Sequence, residues 1–183
     1  MASNTEPPTP STSTPFELAS DLIHTLARSN STLGVGESLT GGGLMTALTS
    51  VPGSSAVFRG GIVSYATPLK TKLLGVSADL IARDGVINAD VAAQMAAGAR
   101  RATMYGDRDT TWGVGTTGVA GPDSQDGKPV GMVYIGIACE RWSRGLGPFQ
   151  FTGGRQGIRE ATVVEALRLL RKVLREEEEE EKP

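Results

Sequence analysis

Short apolar runs alternate along this chain with segments of helical spacing, and glycines crowd the junctions between them. Strands separated by helices over short links build a layered α/β domain, so this alternation narrows the fold further than any other feature. Thr14-Pro15-Phe16-Glu17 has the form of a capping box with proline at the first helical position, and Leu18, Leu22, Ile23 and Leu26 continue at helical spacing to about Arg28. An apolar strand is expected from Thr32 to Gly36. A glycine-rich turn then leads into a helix that closes before Val51-Pro52-Gly53. A second strand spans Ala56 to Tyr65, interrupted by Gly60-Gly61. Thr67-Pro68 opens a helix that Gly75 ends, Ser77 to Ala82 forms a short one, and Asn88 caps a long alanine-rich helix reaching about Tyr105. Further strands are expected at Thr111 to Thr116, Val130 to Glu140 and Gly147 to Thr152, and a last helix from Gln156 to Arg175, with Arg168, Arg171, Lys172 and Arg175 near its end. The pattern predicts one three-layer α/β/α domain, residues 15–175, around a mixed, mostly parallel central sheet. A Ser/Thr/Pro-rich leader, residues 1–14, precedes it and an acidic tail, residues 176–183, follows.

Composition excludes several kinds of chemistry. Cys139 is the only cysteine, so neither an intramolecular disulfide nor a cysteine-rich zinc site is possible. His24 is the only histidine and falls within the first helical pattern, so a hydrolytic nucleophile needs another base unless His24 supplies it. No metal or organic cofactor is expected. Of 18 basic and 20 acidic residues, the terminal run Glu176 to Glu181 and Lys182 account for one and six, leaving 17 against 14 in the body. That mild positive balance suits a small phosphorylated ligand, and the absence of a basic stripe with interleaved aromatics argues against nucleic acid. No apolar run approaches the ~20 residues a membrane span needs. The leader has no basic residue and matches neither a secretory signal nor a transit peptide, which predicts a cytoplasmic protein.

Three stretches are over-specified for folding alone. In Gly36-Glu37-Ser38-Leu39-Thr40-Gly41-Gly42, a strand turns into a helix, converging backbone N–H groups on one point that can hold a phosphate or a developing oxyanion. Ser38 could attack a carbonyl placed there; the same residues also read as a helix cap. In Gly60-Gly61-Ile62-Val63-Ser64-Tyr65, followed by Lys70, the lysine falls near a helix start, where dipole and burial both lower its basicity toward that of a general base. Tyr65 could share the proton. The alternative is a surface lysine beside a core-edge tyrosine, and Lys72 is a competitor on another side of the helix. Gly115-Thr116-Thr117-Gly118-Val119-Ala120-Gly121-Pro122 ends a strand in hydroxyls and glycines, as a cleft lining or a plain turn. Arg155, with Arg159 a helical turn later, forms a phosphate clamp or a solvated pair.

Read in order, these segments resemble the C-terminal domain family of the competence/damage-inducible protein CinA. The motifs are Glu37-Ser38-x-Thr40-Gly41-Gly42, Pro52-Gly53-x-Ser55, Gly61-x-x-x-Tyr65-x-x-x-x-Lys70, Leu74-Gly75-Val76, Thr117-Gly118-x-Ala120-Gly121-Pro122 and Lys128-Pro129-Val130-Gly131, and the likeness runs from about Phe16 to Leu174. The resemblance implies an amidase that converts nicotinamide mononucleotide to nicotinate mononucleotide and ammonia. It implies Ser38 as nucleophile, Tyr65 and Lys70 as its activating partners, and Thr117 and Arg155 facing the nucleotide. Backbone groups of Thr40, Gly41 and Gly42 would hold the oxyanion, with Gly118 beside Thr117 in the substrate cleft, and a homodimer is implied. Gly36 stands where alanine is usual, Leu39 where cysteine is frequent, and Gly154 where an aspartate usually precedes the arginine. Some relatives lack the amidase activity, so the rival expectation is a non-catalytic nucleotide-binding or regulatory module on the same scaffold.

Overall fold

A computed structural model describes residues 13–106 and 109–180 of the chain. Residues 1–12 of the expected leader and residues 181–183 of the expected tail lie outside that range. The first helix, α1 (Pro15–Arg28), opens with the capping box read from Thr14 and Glu17. β1 (Leu33–Glu37) leads through a tight turn into α2 (Gly43–Thr49). A single 3-10 turn (Ser54–Ala56) precedes β2 (Phe58–Val63). Then come α3 (Thr67–Leu74), closed by Gly75 in the left-handed conformation, and α4 (Ala78–Asp84), capped by Ser77. α5 (Ala89–Ala102) is capped by Asn88, whose side chain accepts from the Val91 N–H. β3 (Trp112–Gly118), β4 (Met132–Ala138), β5 (Ser143–Gln150) and α6 (Arg155–Glu180) complete the chain.

The last two elements depart from expectation. β5 begins at Ser143 rather than Gly147, because it pairs back along β4 from Ala138 to Met132 and the pairing recruits the polar Ser143-Arg144 end. α6 continues past Arg175 through the acidic run to Glu180. The cations expected at its end therefore stand within it: Arg171 and Arg175 both reach Asp21 on α1, while Glu177 accepts from Arg141 and from the Trp142 indole N–H.

The sheet order is β2-β1-β3-β4-β5. β2, β1 and β3 run parallel, and β4 and β5 join them antiparallel in turn, so β4 alone opposes the other strands. α1, α2 and α6 cover one face, where Leu33, Val35, Val114, Ile135 and Ile137 meet Leu18, Leu22, Leu26, Leu167 and Leu170 in the main core. α5 lies across the other face, with α3 against it. The strands alternate accordingly, apolar residues toward α1 and α6 and glycines toward α5. A Cβ added at Gly113, Gly136 or Gly145 would come within 2.1, 1.9 and 1.9 Å of a carbonyl oxygen of α5. Glycine is required there, because α5 lies directly on the sheet backbone.

Candidate active site

The parallel strands β1, β2 and β3 end side by side, and the crevice beyond their carboxyl ends is where open α/β sheets commonly bind ligands. β1 supplies Ser38 immediately after its last residue. Its N–H donates to the Thr116 carbonyl at 3.1 Å, fixing the serine to β3. β2 ends before Ser64 and Tyr65, and α3 returns Lys70 beneath them. The N-cap of α3 is Ala66, so Thr67 and Pro68 are its first two residues and Lys70 lies just beyond the first turn. Lys72 faces solvent, as does His24 on α1.

Lys70 Nζ donates to Ser38 Oγ at 2.9 Å, to the Ser64 carbonyl at 2.8 Å and to the Tyr65 carbonyl at 3.4 Å. The side chain is only 1% exposed, and no carboxylate pairs with it within 4.0 Å among the described residues. Burial therefore pulls its pKa down from 10.5 to about 8, with the more distant Asp126 opposing the shift. An amine of that basicity has its neutral form within reach of physiological pH. The neutral form has two N–H donors for the two carbonyls and one lone pair for the Ser38 hydroxyl.

A pocket of about 120 Å³ opens over this pair, walled by Ser38, Leu39, Tyr65, Thr117, Gly118 and Arg155, with Asp123 and Gln125 also lining it. Thr117 donates its hydroxyl to the Val86 carbonyl at 2.7 Å, leaving its oxygen as an acceptor toward the pocket. Arg155, at the start of α6, donates to the Gly121 carbonyl at 2.6 Å and to the Tyr65 hydroxyl. Those two partners orient Arg155 where Gly154 leaves no carboxylate to do so. The Tyr65 hydroxyl is thereby held by Arg155 at the rim, and it is the Tyr65 backbone carbonyl that meets Lys70. A larger cleft, about 820 Å³, lies at the opposite strand ends around Asn30, Ser55, Arg59 and Tyr105, and holds none of the candidate catalytic or substrate-binding residues.

The turn after Ser38 is organised differently from the sequence reading. Thr40 is 1% exposed and its hydroxyl pairs with that of Thr116 at 2.9 Å. Gly41 N–H donates to the Ser38 carbonyl at 3.0 Å, and Gly42 N–H to Glu37 Oε2 at 2.9 Å. None of the three lines the pocket, and the Thr40 hydroxyl and the Gly41 and Gly42 N–H groups are already engaged. Gly41 and Gly42 adopt φ of 58° and 95°, the left-handed backbone that lets the chain reverse here. Glu37 and Arg159 bind this turn, and neither role was visible from sequence. Glu37 could be flagged only as an acidic residue closing an apolar strand. Arg159 read as a partner of Arg155, yet it turns away to the carbonyls of Leu39 and Thr40, at 3.0 Å each.

The fold and this site define a three-layer α/β domain with a buried serine–lysine pair at the carboxyl ends of its parallel strands. The model of the CinA C-terminal domain matches residues 16–174, and the chain belongs to that family. A CinA-like protein of Parasynechococcus marenigrum is 43% identical over 162 residues, which cover 86% of this chain and 37% of that protein. One from Frankia casuarinae is 46% identical over 156 residues, 81% of this chain and 33% of the relative. The chain thus spans about a third of the length of these curated relatives. Among solved structures, a competence/damage-inducible protein of Agrobacterium tumefaciens superposes with a TM-score of 0.79 at 33% identity, covering 88% of this chain and 95% of the other. A CinA superfamily protein of Enterobacter cloacae gives 0.84 at 27% identity, over 95% and 99%. Among the described residues no helix is long and apolar enough to cross a membrane, and no cluster of three or more potential ligands is placed to hold a metal ion.

Proposed function

We propose that the chain is an amidohydrolase that removes the carboxamide nitrogen of nicotinamide mononucleotide, giving nicotinate mononucleotide and ammonia through a seryl ester at Ser38. The 2.9 Å contact between Ser38 Oγ and the buried Lys70 amine carries this reading. Neutral Lys70 takes the hydroxyl proton as Ser38 Oγ attacks the amide carbon. The resulting ammonium keeps its two carbonyl partners and gives the proton to the departing nitrogen, so the C–N bond breaks with release of ammonia. Water then attacks the ester, Lys70 takes its proton, and return of that proton to Ser38 Oγ frees the acid. The pyridinium ring withdraws electrons from the amide and favours the first attack.

The oxyanion would be met by the Leu39 and Thr40 N–H groups, since those of Gly41 and Gly42 already have acceptors. In this reading the ring and its amide enter the pocket of about 120 Å³, with the sugar phosphate over the rim at Arg155. A phosphate is a stronger acceptor than the neutral carbonyl and hydroxyl that Arg155 now holds. Ammonia release from nicotinamide mononucleotide tests the reading: kcat/KM should fall tenfold per pH unit below a limb near pH 8, the Lys70 value. Saturable binding of the mononucleotide without ammonia release would instead identify the non-catalytic module.

A further inference from the structure

We infer that Arg159 and Glu37 are positioning residues that aim the turn carrying the nucleophile, gripping it from its carbonyl and its N–H sides; the inference rests on the Ser38 mechanism proposed above. Arg159 reaches from the first turns of α6 across the fold, with Nε on the Leu39 carbonyl and Nη2 on the Thr40 carbonyl, both at 3.0 Å. Its Nη1 is held by Gln156 at 2.8 Å. In a planar trans peptide the N–H points opposite to the carbonyl. Holding the Leu39 carbonyl toward α6 therefore turns the Thr40 N–H away from α6. The same grip on the Thr40 carbonyl turns away the Gly41 N–H, which meets the Ser38 carbonyl at 3.0 Å.

Glu37 acts on the other half of the turn. Its carboxylate is fully buried, and it accepts from Gly42 and Leu44 through Oε2, at 2.9 and 3.2 Å, and from Met45 through Oε1, at 2.9 Å. Those N–H groups belong to the N-cap and first turn of α2 and would otherwise lack acceptors. Glu37 occupies them, so a negative charge arising at the substrate must be met by the Leu39 N–H and by the Thr40 N–H that Arg159 orients. Neither residue touches the pocket, and neither has a close substitute. Lysine lacks the planar fork that spans two carbonyls, and glutamine replaces one accepting oxygen with a donor aimed at N–H groups.

Phosphonylation of Ser38 by a fluorophosphonate provides the test. Ser38 Oγ bonds to phosphorus, fluoride leaves, the hydroxyl proton passes to Lys70, and the phosphoryl oxygen occupies the oxyanion position without nicotinamide mononucleotide being present. Rates are measured for wild type, Arg159→Lys, Arg159→Met and Glu37→Gln, alongside kcat and KM for the mononucleotide and the folded fraction by near-ultraviolet circular dichroism. Per folded molecule, Arg159→Lys and Glu37→Gln should be labelled about 10- to 100-fold more slowly, with kcat falling in parallel and KM held within about twofold. Labelling of both variants at the wild-type rate would overturn the clamp and leave the Ser38 mechanism standing. So would a rise in KM at unchanged kcat in the Arg159 variants, which would make Arg159 a substrate clamp. Absence of wild-type labelling at Ser38 would overturn the mechanism and the clamp together. If Arg159→Met does not fold, Arg159→Lys decides.

Discussion

In the proposed reaction, Lys70 buried beside Ser38 takes the part of a histidine base, because desolvation does to an amine what imidazole chemistry provides elsewhere. Residues with local signatures were legible in the sequence: Ser38 at a strand-to-helix turn, and Lys70 close to a helix start. What Arg159 and Glu37 do was not: Glu37 folds back on the N–H groups of Gly42, Leu44 and Met45 without a capping spacing, and Arg159 acts through groups chosen by the tertiary fold. Arg159 finds its carbonyls 119 and 120 residues away, at a distance only the packing of α6 on the turn can set. Tyr65 lines the pocket beside Ser38, but its hydroxyl belongs to Arg155, which no spacing argument could show. Under the proposed function, Arg155 separates binding from chemistry. Arg155→Ala should raise KM for nicotinamide mononucleotide about 10- to 100-fold and leave turnover of the phosphate-free riboside unchanged. Steady-state kinetics on the two substrates would show it, and equal losses on both would place the phosphate elsewhere.

Elements whose ends are set by neighbours in sequence were readable, and those set by partners in space were not. Thr14, Ser77 and Asn88 cap their helices through bonds spanning three residues, and Gly75 closes α3 in the left-handed conformation. β5 depends on β4 for its register, so its polar start at Ser143-Arg144 carried no strand signal. In β1, β3 and β4 the alternation of glycine with apolar residues marks the face on which α5 lies. Gly136→Ala should therefore destabilise the domain by about 1–3 kcal/mol or more, as over-packing does. Gly157→Ala, on α6 where an added Cβ meets nothing within 4 Å, should instead stabilise by about 1 kcal/mol. Urea unfolding of both variants checks the contrast, and a neutral Gly136→Ala would contradict the close seating of α5.

For the molecule as a whole, the layered architecture followed from the alternation of strands and helices, whereas the strand order needed the long-range pairing of β1 with β3. The whole domain also bears the cost of its buried amine. Lys70 has a folded pKa of about 8 against 10.5 in the free side chain, so the unfolded chain binds more protons between those values. Stability therefore rises with pH across that window, and the penalty is complete below pH 8. Lys70→Met should be inactive yet more stable than wild type at pH 7. That advantage should shrink by about 3 kcal/mol as pH rises past the unfolded lysine value. Denaturant titrations at pH 7 and 10.5 measure the difference, and an advantage independent of pH would mean that burial does not perturb Lys70.

The hydroxyl at the end of β1 is the atom on which the proposed chemistry depends. Ammonia release from nicotinamide mononucleotide by wild type and by Ser38→Ala, each folded and at saturating substrate, tests it directly. Turnover by wild type with a loss of at least about 10⁴-fold in kcat for the variant is the predicted result. Turnover that persists in Ser38→Ala at the wild-type rate would contradict it.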